Sequence, residues 1–236
     1  MTDPNLPSFA GSPASGTPVK KDRGSLLPAK VKPALITVGS LAVLITLIQV
    51  LNALWSPAYR LTSEFGIAPR SVHGLTGVLT APLLHVSWPH LLSNVVPLLI
   101  FGFLILVGGV RQFVAVTMLV WLVSGLGVWL IGPTNSVTVG ASGLVFGWLA
   151  YLISRGAFTR QLGQIAIGVV LLVLWGGLFW TGIVRVAAAD LVGVQTISWQ
   201  GHLFGALAGV LAAFLVAKAD GPRRPRPAAA ALSSGR

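Results

Sequence analysis

The chain is expected to fold as an all-α, polytopic membrane helical bundle with six transmembrane helices, and three observations lead there. Of its 236 residues, 54% are hydrophobic and only 9% charged, where a soluble domain carries about 25% charged residues. No formal charge falls between Gln112 and Ser154, between Gln161 and Val184, or between Leu191 and Ala217, and a bilayer span needs about 20 mostly apolar residues. The basic residues, finally, collect in the tails and in alternate loops, the pattern that orients membrane helices.

Residues 1–32 are rich in Pro, Gly and Ser and end in Lys20, Lys21, Arg23, Lys30 and Lys32. So little apolar surface predicts a disordered basic tail. It carries neither the apolar core of a signal peptide nor the amphipathic, Arg-rich pattern of a presequence. Spans are expected at Pro33–Trp55, Pro89–Gly109, Arg111–Ile131, Gly140–Ser154, Gln161–Val184 and Gln200–Ala217. The turn Gly132-Pro133-Thr134-Asn135 closes the third. The membrane domain thus covers 33–218, and residues 219–236, with Gly221, Pro222, Pro225 and Pro227 among arginines, form a second basic tail.

Six spans put both tails on one side. Of sixteen basic residues only Arg60, Arg70 and Arg185 fall on the other, so both termini are expected in the cytoplasm. A formal charge of +11 would suit a nucleic-acid binder, but its placement serves orientation, and no nucleic-acid partner is expected. Without cysteine there is no disulfide framework, thiolate nucleophile or cysteine metal site.

Polar groups inside a bilayer are costly, so each is a functional candidate. Three stretches qualify: His85-Val86-Ser87-Trp88-Pro89-His90-Leu91-Leu92-Ser93-Asn94 entering the second span, Gly140-Ala141-Ser142-Gly143 opening the fourth, and Gly201-His202-Leu203-Phe204-Gly205 opening the sixth. These spans all run from outside to inside, so the clusters share one depth near the outer face. Three of the four histidines belong to that layer. Each element also has a bland explanation. Gly-x-Ser-Gly suits a small-residue seam, Gly205-x-x-x-Gly209 is a packing motif, and Asn94 suits interhelical glue at roughly 0.6–2 kcal/mol. A lone His202 beside those glycines suits a hydrogen-bonded packing residue. The shared depth weakens these explanations, because each must be invoked separately. A zinc site on His85, His90 and His202 with an open water position is a further reading. Against it, Asn94 stands four residues after His90 on the same helical face, where a second ligand would be expected, and no carboxylate lies within a span. Neither metal nor cofactor is expected.

The ensemble resembles the rhomboid intramembrane serine proteases over the whole six-span region. The family's His-x4-His-x3-Asn, Gly-x-Ser-Gly and His-x2-Gly-x3-Gly elements stand here as His85/His90/Asn94, Gly140/Ser142/Gly143 and His202/Gly205/Gly209. The resemblance implies Ser142 as nucleophile and His202 as its base, with His90 and Asn94 helping to hold the oxyanion and His85 and Gly140 in support. Phe146 takes the place of an aromatic that packs on the histidine, where the family often has tyrosine. Gly143, Gly205 and Gly209 are expected to bring helices close. In one respect the chain departs from the family: residues 56–84 lack the Trp-Arg pair that many members carry in the first outer loop.

A serine needs a neighbouring base to become nucleophilic, and a full triad needs a buried acid. With no carboxylate in a span, a Ser–His dyad oriented by Phe146 is expected. The Ser142 N–H, at a helix start, would join Asn94 and His90 around the oxyanion. The fourth span rises only about 22 Å against a core of about 30 Å, so Ser142 should lie below the outer surface in a hydrated cavity, its mouth lined by Ser136, Thr138, Ser198 and Gln200. Expected partners are the lipid bilayer and single-span membrane-protein substrates with small or helix-breaking residues near their outer ends. Substrates would pass sideways between the second and fifth spans, with Gly176-Gly177 loosening the fifth. Trp175, Phe179 and Trp180 would face lipid or substrate, or form an ordinary interfacial belt. The expected setting is a cell membrane, taken as a bacterial plasma membrane. The rival reading is a catalytically inactive rhomboid-like protein that binds and escorts membrane helices, although such relatives usually lose the serine or histidine. A transporter or channel would call for charged or repeated elements within spans, which the sequence lacks.

Overall fold

The computed structural model describes residues 30–55, 61–193 and 197–221; most of both expected tails lies outside the described residues. The first helix, α1 (Val31–Leu54), buries Ala34, Val38, Ile45, Gln49 and Asn52, a single stripe at helical spacing, and leaves the rest of its apolar surface outward. The segment that follows holds two short helices, α2 (Leu61–Phe65) and α3 (Leu75–Thr80), and a 3-10 turn at Ala81–Leu83. Next comes α4 (Trp88–Gly108). Its start is set by Ser87, whose Oγ accepts from the His90 N–H at 3.3 Å, and by Pro89 in the first turn. A break at Gly109 leads into α5 (Val110–Ile131), and after a loop α6 (Ser142–Thr159) ends on Arg160 in the left-handed conformation.

The fifth expected span is not one straight helix. It runs as α7 (Leu162–Trp175), α8 (Gly177–Phe179), a π-helical turn at Trp180–Arg185 and α9 (Val186–Leu191). The two halves, Leu162–Trp175 and Gly177–Leu191, meet at an angle of 49°. The break falls at Gly176, where the sequence places adjacent glycines, the poorest helix formers after proline. Last comes α10 (Trp199–Asp220), with Ser198 Oγ accepting from the Gly201 N–H at its start.

Among the described residues four helices, α1, α4, α5 and α10, are long and apolar enough to cross a bilayer, or five if the bent α7–α9 segment counts as one span. The chain is therefore a multi-pass helical membrane bundle. The expected fourth span, α6, falls outside that set for a physical reason. It packs against α4, α5, α7 and α10, every residue from Leu144 to Leu152 is buried, and a helix ringed by protein needs no lipid-like exterior. Arg155, expected in a loop, lies inside α6. Its guanidinium meets the Tyr151 hydroxyl and, at 2.9 Å, the Asp220 carboxylate at the end of α10. Asp220, placed by the sequence in the second tail, is thus the last helical residue.

The α6–α10 seam is built from glycine. A Cβ on Gly205 would run into the Gly143 carbonyl, and one on Gly209 into that of Gly147. The Ser124 hydroxyl of α5 donates to the Gly201 carbonyl at 2.8 Å, tying a third helix to the seam. The α2–α3 segment is pinned to α5. Arg70 donates from Nη1 to the Leu130 and Gly132 carbonyls at 3.1 and 2.8 Å, Trp129 donates to the Ser71 carbonyl, and Trp121 to that of Val78. A cation at the end of α5 satisfies carbonyls that lack helical partners and opposes the helix dipole.

Candidate active site

Two antiparallel bonds between Ile67 and Thr138, at 2.9 and 3.0 Å, and one from the Gly140 N–H to the Ala81 carbonyl, at 2.8 Å, hold the segment before α6 against the α2–α3 segment. Gly140 itself adopts φ +117°, and a Cβ there would stand 2.6–2.7 Å from His90 ring atoms. Glycine is therefore needed twice over, for its backbone angle and for the approach of the imidazole. That approach brings the start of α4 to the start of α6. Ser142 follows as the first residue of α6, its N–H in the turn where helical partners are missing.

From α10, His202 reaches across the glycine seam. Its Nε2 lies 2.8 Å from Ser142 Oγ, and its Nδ1 lies 2.7 Å from the Gly182 carbonyl oxygen. A carbonyl only accepts, so Nδ1 carries the proton and Nε2 is left to accept from the serine hydroxyl. Phe146, one turn after Ser142 on α6, stacks on the imidazole with centroids 4.0 Å apart and planes 1° from parallel. Phe179 abuts Phe146 edge-on at 5.8 Å. The two ring nitrogens and one ring face are thus fixed by two helical segments, α6 through Ser142 and Phe146 and the π-helical turn through Gly182.

The remaining expected residues sort by depth. His90 lines the cavity that contains Ser142. His85 stands behind it, 1% exposed, its ring edge-on to that of His90 at 5.1 Å. Burial, with the neighbouring His90, pushes His85 down to about 4, so its ring is neutral at physiological pH. Asn94 is buried and its Nδ2 donates to the His90 carbonyl at 2.7 Å, and it does not line the cavity. Among the described residues no three His, Cys, Asp or Glu side chains gather at metal-holding distance. Gly182 was not singled out in the sequence. Its contribution is a backbone carbonyl on the π-helical turn, which no side chain announces.

The sequence model of the Rhomboid domain family matches residues 72–219, which hold Ser142, His202, His90, Phe146 and Gly182. This chain belongs to the rhomboid family. It is 44% identical over 174 residues to uncharacterized proteins of Mycobacterium tuberculosis and Mycobacterium bovis, covering 71% of this chain and 70% of each relative. It is also 33% identical over 152 residues to "Rhomboid-like protein 11, chloroplastic" of Arabidopsis thaliana, covering 59% of this chain and 52% of that one. Helix α1 lies outside the part matched by the Rhomboid domain.

The rhomboid domain opens around Ser142 into a cavity of about 630 Å³. Ser136, Thr138, Ser198 and Gln200, the residues expected at its mouth, all line it, and so does Asp190. That carboxylate does not complete a triad: its Oδ2 accepts from Trp199 Nε1 at 2.9 Å, while His202 turns to Gly182. On the flank, Trp175 packs edge-on against Phe101 of α4 at 5.6 Å, and Trp180 is largely exposed.

Proposed function

We propose that this rhomboid-family chain is an intramembrane serine endopeptidase that hydrolyses peptide bonds in or near the membrane spans of single-span proteins. The observation that carries the reading is the 2.8 Å approach of Ser142 Oγ to His202 Nε2 at the wall of a polar cavity. Ser142 Oγ attacks the scissile carbonyl carbon and passes its proton to His202 Nε2. The oxyanion that forms faces the Ser142 N–H and the His90 ring; one such donor is worth about 10²–10³ in rate. As the C–N bond breaks, His202 returns the proton to the leaving amine. A water then attacks the acyl-serine, its proton again taken by Nε2, and the ester bond opens to regenerate the hydroxyl.

In place of a carboxylate, the Gly182 carbonyl and the Phe146 ring hold the imidazole. A carbonyl fixes tautomer and orientation as an aspartate would, but contributes only a dipole to stabilise the imidazolium. We place α6 as the fourth span in chain order, buried among the others and bringing the count to six, in a bacterial plasma membrane with both termini on the cytoplasmic side. The bent α7–α9 segment, weakly attached to α4, is the side from which a substrate helix would reach the cavity.

The test is cleavage in proteoliposomes of a panel of single-span reporter proteins carrying small and helix-breaking residues near their outer ends. Ser142→Ala and His202→Ala should each reduce cleavage to background. Cleavage that survives in Ser142→Ala, or a panel left intact by a folded chain whose serine resists a fluorophosphonate, would favour a helix-binding protein without catalysis.

A further inference from the structure

Among the described residues, the cavity around Ser142 is lined by neutral side chains with one exception, Asp190. We propose that Asp190 forms a subsite for a cationic side chain, lysine or arginine, on the outer flank of the substrate's membrane span. This rests on the protease reading and adds a substrate class to it.

The carboxylate is held in place. Trp199 Nε1 donates to Oδ2 at 2.9 Å, and Trp199 is the first residue of α10. His202 lies three residues further, a rise of about 4.5 Å, so Asp190 is anchored roughly one helical turn outward from the base. An ionised carboxylate offers about four acceptor positions, and the indole fills one. Among the described residues Asp190 makes no ion pair; the pairs present are Arg155 with Asp220 and His73 with Glu64. Arg185, the nearest cation in sequence, stands five residues earlier, about 140° round the helix. Its cavity neighbours His90, Ser136, Ser198 and Gln200 supply dipoles and no compensating charge.

A single anion in a concave site whose other described lining residues carry no charge focuses its field on whatever enters. Lysine and arginine are scarce on the outer flanks of membrane spans, so a carboxylate here selects a minority of helices rather than all of them. The competing explanation is that Asp190 merely ties α9 to α10. The two separate cleanly, because asparagine preserves an acceptor for Trp199 and removes the charge.

The experiment uses the full chain in proteoliposomes and three reporters identical except for Lys, Gln or Glu at one outer-flank position, scanned along the flank. The wild type should cleave the Lys reporter about tenfold faster in kcat/KM than the Gln reporter at one or two positions, the scale of one charge-assisted hydrogen bond. Asp190→Glu should keep the preference, Asp190→Asn should bring Lys to the level of Gln, and Asp190→Lys should favour the Glu reporter. Equal Lys-to-Gln ratios in wild type and Asp190→Asn, with Ser142-dependent cleavage intact, overturn the subsite alone. No Ser142-dependent cleavage of any reporter overturns the protease reading and this one with it.

Discussion

Alanine at Gly205 probes how closely two helices must approach for Ser142 and His202 to meet. A Cβ at this position would stand 3.1 Å from the Gly143 carbonyl carbon and 3.3 Å from its Cα, with the carbonyl oxygen nearer still. Backbone on both sides leaves no side chain to swing away. Ordinary carbon contacts lie at about 3.5–4.0 Å, so α10 must retreat from α6 by about 1 Å. His202, one turn earlier on the same helix, moves with it, and the 2.8 Å bond to Ser142 lengthens to about 3.8 Å, beyond hydrogen-bonding reach. A misplacement of that size costs about 10² in rate, while overpacking costs about 1–3 kcal/mol of stability. The assay is reporter cleavage in proteoliposomes, with kcat and KM separated and thermal unfolding measured in parallel. We expect kcat to fall about 100-fold with KM little changed. Gly39→Ala and Gly163→Ala, whose new methyl groups meet open space, should behave as wild type. A folded Gly205→Ala chain with kcat within about twofold of wild type would refute the reasoning.

Other expectations follow from the same contacts. Phe146→Tyr keeps the ring stacked on His202 and should retain kcat, whereas Phe146→Ala should lower it about tenfold, the value of one aromatic contact. In Gly182→Ala the new Cβ would lie 3.2 Å from His202 Nδ1 and closer to the Phe146 ring. The displaced turn should give up its hydrogen bond, and ¹⁵N spectra of labelled histidine should change from one Nδ1–H tautomer to a mixture. Arg70→Gln removes the cation from the end of α5 and should lower stability by about 1–2 kcal/mol, read as a lower unfolding temperature with kcat unaltered below it.

The sequence was most readable where side-chain chemistry and chain direction coincide. His90, Ser142 and His202 open helices that all start at one end of the bundle, so hydropathy and charge alone placed them in one layer, and the glycines of α6 and α10 announced the seam between them. Phe146 required the family resemblance, since a phenylalanine in an apolar helix carries no signal of its own. Three features escaped. The Gly182 carbonyl orients the base through backbone on a π-helical turn, which leaves no residue-type signature. Gln49 and Asn52 of α1 are buried within a stretch that reads as ordinary lipid-facing helix. Arg155 looked like a loop residue because a charge within a span is costly, and only the fold supplies Tyr151 and Asp220 as partners.

The most direct measurement is the site of fluorophosphonate attachment, read by mass spectrometry on the intact chain in lipid and on its digested peptides. One adduct on Ser142 is expected, absent from Ser142→Ala and lost or strongly slowed in His202→Ala. An adduct on a different serine, or labelling of Ser142 that proceeds unchanged without the imidazole, would contradict the pairing on which the proposed chemistry depends.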